Sequence, residues 1–183
     1  ALDVESLDKN MFGVYIGTGD GGLQTLEDNV HTLLDKGPNR VSPFTVPMMI
    51  TNMPAAYTAI RYGAKGPNMA VVTACASSIN SIGEACNCIV RGDADIALAG
   101  GTEAAITTIS MAGFESLKAL SRRNDDPAHA SRPFDADRDG FVIGEGAAVF
   151  VLENMERAKA RGARILAEII GYGATSDAYH ITK

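Results

Sequence analysis

Histidine and cysteine are scarce in this sequence, three of each in 183 residues. Three cysteines, Cys75, Cys86 and Cys88, make no disulfide framework and fit a reducing compartment. No further Cys or His stands at metal-ligand spacing from them, so no zinc site is expected. Cys86 and Cys88 lie two apart in a helix-like stretch, point to different faces and read as packing residues. No apolar run approaches the length of a membrane span. Basic residues are outnumbered, 16 against 22 acidic, and the net charge of −6 argues against a nucleic-acid or anionic-membrane surface. The start, "ALDVESLDKN", has neither a signal peptide nor a basic amphipathic presequence. It also lacks an initiator Met, and "DAYHITK" closes the chain without a terminating element. Both ends read as cut points.

What is present has the composition of a globular domain, 46% hydrophobic and 21% charged, with enough length for a real core. "MFGVYIGTG" reads as a strand entering a Gly-rich turn, and "LQTLEDNVHTLLDKG" as a helix stopped by Gly37-Pro38. "VSPFTVPMM", with two prolines, reads as loop. "ITNMPAAYTAIRYG" reads as a helix with Pro54 in its first turn and Gly63 as its stop. "NMAVVTA" is expected to be a short buried strand. In the helix "SSINSIGEACNCIVRGD", Ile79, Ile82, Ala85, Cys86 and Ile89 are expected on one side. "ADIALAGG" is a continuous apolar strand of the kind found in sheets covered on both faces. "ISMAGFESLKALS" reads as helix and "RRNDDPAHASRPFDADRDG" as a long polar loop. "GAAVFVLEN" (strand), "MERAKARG" (helix) and "RILAEIIGYGATS" (strand) follow. This alternation implies a layered α/β fold with a largely parallel sheet.

Two motifs mislead. Gly17, Gly19 and Gly22 spell G-x-G-x-x-G between a strand and a helix. No acidic residue follows at the end of a second strand to meet a ribose, and Asp20 would set a negative charge by the pyrophosphate. The competing reading is a tight turn needing glycine for its backbone angles. "DADRDGFVIGEG" matches the first half of a calcium loop through Asp135, Asp137, Asp139 and Gly140. Its twelfth position, where a bidentate Glu belongs, is Gly146. A charged turn, with Asp side chains bonding backbone N–H groups and arginines such as Arg132 and Arg138, accounts for it. No metal and no cofactor are expected.

Cys75 follows the strand "AVVT" and precedes a helix that begins near Ala76 to Ser78. Orphan N–H groups and the helix dipole favour an anion there, and a thiolate is the nucleophilic form of cysteine. Ala74, Ala76 and Ser77 are small and leave room for a substrate. Position alone serves a buried structural thiol equally well.

The surroundings of Cys75 separate these readings. "VVTACASSINSIGEA" followed by "GDADIALAGGTEA" resembles the active-site segment of the β-ketoacyl-ACP synthases, condensing enzymes of the thiolase-like superfamily. "GVYIGTGDGG", "GFESLKALSRRNDDP", "SRPFDADRDGFVIGEGAAVFVLE", "AKARGARILAEIIGYG" and "SDAYHIT" continue the match in order, nearest to its type II branch. The resemblance implies a layered αβαβα fold built of two similar halves. Residues 1–183 would be mostly the first half, lacking its opening strand and the whole second half.

The resemblance further implies a decarboxylating condensation of an acyl-Cys75 thioester with malonyl on acyl carrier protein. The Cys75 N–H would serve as an oxyanion donor. By the same resemblance Ala105 and Phe114 line the acyl-chain pocket, and Thr182 lies near the pantetheine channel. Without the family Phe114 is equally well a core aromatic. Asp20 departs from the aliphatic residue that often closes the pocket, which unsettles chain-length preference unless the carboxylate turns away or ion-pairs. The family's two catalytic histidines lie in "HGTxT"-like and "GGHN"-like motifs, and neither motif occurs here. His31, His129 and His180 are therefore not assigned that role. The expected partners are acyl carrier protein and, for a full-length parent, a second copy in a homodimer. The expected location is bacterial cytoplasm, or an organellar stroma or matrix. An isolated 183-residue chain is expected neither to condense nor to fold well. Two alternatives share the motifs: a ketosynthase domain of a polyketide or polyunsaturated-fatty-acid synthase, and a non-catalytic chain-length-factor-like partner. Proteins of the latter kind lack the cysteine. Thiolase fits the "RPFDADRDGFVIGEGA" stretch less well.

Overall fold

The computed structural model describes residues 2–180. They form two compact units: one from residues up to Gly19 with Pro54–Gly101 and the chain from Ala148 onward, the other from Asp20–Met53 and Thr102–Ala147.

The first unit is built on a four-stranded sheet in the order β2-β1-β3-β4. The strands are β1 (Phe12–Gly17), β2 (Asn68–Met69), β3 (Ile96–Glu103) and β4 (Gly146–Glu153). β1 runs parallel to β2 and to β3, in register from Phe12↔Ile96 to Gly17↔Gly101. All six residues of β1 are buried. Tyr15 packs with Ala85 and Cys88 of α4 (Ser77–Arg91), while Val14 and Ile16 pack with Ala55 of α3 (Met53–Tyr62). Helices thus meet alternate side chains of one strand, which is why its sequence is an unbroken apolar run.

Of the residues expected on one side of α4, Ala85 is buried, Ile82 and Ile89 pack against the same cluster and Cys86 is half-buried, but Ile79 is exposed. Ser77 and Ser81 are buried with them, and the head of the helix lies close on the sheet. A Cβ on Gly17 would stand 2.6 Å from the Ser77 carbonyl oxygen, and one on Gly101 would collide with the Ser78 hydroxyl. Two strands without side chains let the head of α4 settle against the sheet, and only small residues fit that contact. None of the three glycines of the G-x-G-x-x-G match has a positive φ; Gly21 does, at +70°. Gly17 is thus required for close approach and not for backbone angles.

Two expected strands differ. Only Asn68–Met69 of "NMAVVTA" is β-structure, and it is exposed. The stretch 164–176 has no regular structure, with Leu166 82% and Ile170 95% exposed. Apolar composition makes a strand only where a neighbour accepts its backbone hydrogen bonds. β4 is itself exposed along most of its length and leads into α6 (Met155–Ala160), capped by the Asn154 side chain and followed by Gly162 at φ +68°. The nearly buried Glu153 carboxylate binds Arg157 and Arg161, the latter at 2.7 Å. Burial works to raise this carboxyl, but the hydrogen bonds and charges of Arg161 and Arg157 prevail and hold it below its ordinary value.

The second unit contains α1 (Leu23–Lys36), α2 (Thr45–Met49) and α5 (Thr108–Ser116). α2 lies in the stretch read as loop. Its Pro47 is the third residue of the helix, where the missing N–H has no intrahelical partner to lose. α5 starts on Thr107, whose side chain accepts the Ser110 N–H, while Glu27 of α1 accepts the Ile109 N–H at 3.1 Å. That bond is the main reason the Glu27 carboxyl is lowered. The long polar loop is tied as a charged turn. Asp139 accepts from the Ser121 hydroxyl at 2.6 Å and the Arg122 N–H at 2.8 Å and pairs with Arg132 at 3.3 Å. Those two hydrogen bonds lead the lowering of its carboxyl. Asp135 accepts the Asp137 N–H, and its backbone carbonyl takes a bond from Arg138.

Candidate active site

Cys75 stands two residues before α4 and is exposed. Ala74 before it has φ +51°, the left-handed region that costs an L-residue about 1–2 kcal/mol. The chain therefore turns sharply between the sheet and the helix, with the cysteine outward on the turn. One buried hydroxyl ties this turn. Ser77 Oγ donates to the Ala74 carbonyl at 2.6 Å and accepts the Thr73 N–H at 2.9 Å. Thr73 Oγ1 in turn donates to Asn80 at 2.5 Å, and Asn80 donates to the Tyr172 hydroxyl at 2.8 Å. Sequence reasoning saw Ser77 only as small. The signal it passed over was a serine at the first helical position, two residues after the cysteine, where a hydroxyl can bond a nearby backbone group. No side chain caps α4, so its first N–H groups carry the positive end of the helix dipole toward this turn.

The other cysteines differ in setting. Cys88 is wholly buried in the cluster with Tyr15, and Cys86 is half-buried. Burial first, and then the hydrogen bond to Cys88, push the Tyr15 phenol well above its ordinary value. His31 is exposed on α1, His129 binds Asp126 at 2.8 Å, and the His180 ring lies obliquely to Tyr179. Among the described residues no group of His, Cys, Asp or Glu could hold a metal ion. No described helix is long and apolar enough to cross a membrane.

In the second unit a cavity of about 300 Å³ opens beside α5. Leu23, Ile109, Gly113, Phe114 and Leu117 line it, together with the polar residues Asp20 and Ser110. Phe114 is half-buried and meets Phe141 edge-on, ring centroids 6.3 Å apart. Asp20 is exposed, its backbone N–H 3.3 Å from a Glu103 carboxylate oxygen. Ala105 is buried, 5% exposed, and is not among the lining residues. Thr182 lies outside the described residues. Ser110 escaped the sequence reading because a serine in the first turn of a helix reads as ordinary capping.

β1, β2 and β3 run parallel, and Cys75 stands on the left-handed turn that leads into α4, the helix packed on β1. The family model of the β-ketoacyl synthase N-terminal domain matches residues 1–158, and the chain belongs to that family. It is 59% identical over 181 residues to 3-oxoacyl-[acyl-carrier-protein] synthase 2 of Synechocystis sp., covering 99% of this chain and 44% of that protein. The enzyme of the same name from Staphylococcus aureus is 56% identical, with 45% of it covered. Among solved structures, a β-ketoacyl synthase from Burkholderia phymatum superposes with TM-score 0.86 at 40% identity, over 97% of this chain and 43% of that one. A type II polyketide ketosynthase, solved with its acyl carrier protein, superposes with TM-score 0.92 at 35% identity, over 98% and 45%. The chain thus spans less than half the length of the relatives it matches.

Proposed function

We propose that the protein to which this chain belongs elongates acyl chains on acyl carrier protein by decarboxylating condensation, with Cys75 as the acyl acceptor. The observation that carries this is the exposed Cys75 on its tied, left-handed turn at the uncapped head of α4, within a family match of this length. The thiolate attacks the thioester carbonyl of acyl-ACP; the bond to the carrier sulfur breaks, and the carrier leaves as its thiolate, which takes a proton from water. Malonyl-ACP loses carbon dioxide, and the resulting enolate attacks the acyl-Cys75 carbonyl. The C–S bond to Cys75 breaks, leaving 3-oxoacyl-ACP two carbons longer and the thiolate restored. The Cys75 backbone N–H is suited to stabilise the oxyanion of both attacks, while those of Ala76 and Ser77 are bonded to the Thr73 and Ala74 carbonyls at 3.1 Å. The histidines that assist decarboxylation are assigned to sequence beyond this chain. Phe114, Ala105, Asp20 and Thr182 are assigned to substrate contact, and the working form is a homodimer without cofactor or metal. The enzyme works in bacterial cytoplasm or in an organellar stroma or matrix.

The test is labelling of the full-length parent with iodoacetamide or an epoxide of the cerulenin type, read by peptide mass. Cys75 should be modified first, with loss of condensation in step. Preferential labelling of Cys86 or Cys88 would remove the assignment. The polyketide neighbour favours a second reading, a ketosynthase of a polyketide assembly. Sequence beyond the chain, free-standing or fused to further domains, separates the two.

A further inference from the structure

We propose that the cavity beside α5 takes the far end of an acyl chain that carries a hydroxyl group, and that Asp20 and Ser110 select for it. The inference rests on the reading of Cys75 as acyl acceptor and goes beyond it by naming the chain's chemistry. Leu23, Ile109, Phe114 and Leu117 give the cavity apolar walls suited to methylenes. Its polar residues are the exception to be explained. Ser110 is 8% exposed, and its hydroxyl is buried without a hydrogen-bond partner. It is not consumed in capping, since the Thr107 side chain accepts the Ser110 N–H at 3.3 Å. A buried hydroxyl left unpaired costs about 1–3 kcal/mol, which a partner within the cavity would recover.

Asp20 adds a carboxylate, and no basic residue lines the cavity to neutralise it. A second acid stands close by, for the Asp20 N–H meets the Glu103 carboxylate at 3.3 Å. An occupant ending in a carboxylate would meet like charge here. One ending in a plain methyl would desolvate Asp20 and leave Ser110 unpaired. A hydroxyl satisfies both, donating to the Asp20 carboxylate and accepting from Ser110 Oγ once that buried hydroxyl turns about χ1 to face the cavity. Sites built to bond a substrate hydroxyl reject the analogue lacking it far more strongly than apolar pockets reject an added methylene.

The experiment uses the full-length parent and three acyl-ACP substrates of equal length, with plain, ω-hydroxy and ω-carboxy ends. Acyl-Cys75 formation is read by intact mass and condensation by kcat/KM. The ω-hydroxy chain should exceed the plain chain by about tenfold or more, and the ω-carboxy chain should be poorest. Asp20→Leu should reverse the order of hydroxy and plain chains. Ser110→Ala, which removes one atom, should narrow the gap without asking the fold to change. Iodoacetamide labelling of Cys75 in each variant reports an intact turn independently of chain preference. Equal rates for plain and hydroxy chains in the wild type, or a ratio unmoved in both variants, would overturn the inference and leave the condensation reading standing. If no chain of any kind loads Cys75, the condensation reading fails and the inference with it.

Discussion

Around Cys75 the close contacts are made by backbone, hydroxyls and missing side chains; around the cavity beside α5 they are made by large apolar groups on helix surfaces. Gly17 and Gly101 sit where a single added atom meets the backbone of Ser77 or the hydroxyl of Ser78. Leu23, Ile109, Phe114 and Leu117 sit where one apolar group can replace another. The difference teaches where this scaffold can vary. The position of Cys75 is fixed by close packing, which tolerates little change in volume. The cavity's shape and polarity are set by side chains that can be exchanged one at a time.

Substitutions sharpen or break this contrast in order of expected effect. Cys75→Ser in the full-length parent should lower condensation by at least ~10³-fold, measured as 3-oxoacyl-ACP formed, with no change in melting temperature beyond a degree or two. Gly17→Ala should cost about 1–3 kcal/mol in urea denaturation, because its methyl is aimed at the Ser77 carbonyl 2.6 Å away. An unchanged urea midpoint for Gly17→Ala would show that the head of α4 is looser than its contacts indicate. Ser77→Ala strands the Thr73 N–H and should cost about 1–3 kcal/mol, with condensation falling about tenfold as the turn relaxes. Phe114→Ala is expected to do least to the fold. It forfeits the edge contact with Phe141, about 0.5–1.5 kcal/mol, and should shift chain preference toward bulkier ends while Cys75 labelling proceeds as before.

A region apart from both places supplies a control for pH. The Glu153 carboxyl is held below its ordinary value in the folded chain, against about 4.3 for an unfolded glutamate. A lowered carboxyl contributes stability that is complete above the unfolded value and fades as pH falls through the lower folded one. Urea midpoints should therefore drop more steeply for the wild type than for Glu153→Gln as pH falls below about 4, with the two curves converging in acid. Parallel curves would show that the pairs with Arg157 and Arg161 add nothing.

Much of the frame was legible because apolar periodicity reports burial. The unbroken runs of β1 and β3 and the helical spacings of α1 and α4 are where the sequence puts them. Three misreadings have physical causes. Pro47 reads as a breaker but sits in a first turn, where proline costs no hydrogen bond. "RILAEIIGYGATS" is apolar enough for a strand, yet the described residues pair nothing with it. Ile79 follows the spacing of Ile82 and Ile89, but the buried side of α4 is centred on Ser77, Ser81, Ala85 and Cys88 and leaves it exposed.

Within the site, Cys75 stood out by its place between strand and helix, whereas Ser77, Asn80 and Tyr172 did not. Their part depends on contacts across as many as 92 positions of chain, which no local pattern encodes. Ser110 was hidden for the opposite reason. Its local pattern was ordinary, and only the cavity made it unusual.

Gly17 and Gly101 have a consequence in terms of length. The head of α4 rests directly on the sheet, so the distance from sheet to Cys75 is set by backbone thickness and not by side chains that change rotamer. The two glycines act as a gauge block. A methyl on either would lift the start of α4 by a fraction of an ångström to an ångström, and the sulfur would rise with it. Catalytic groups misplaced by about 1 Å can lose about 10²-fold in rate. The height of Cys75 above the sheet is therefore written in two residues that contribute no atom beyond the main chain.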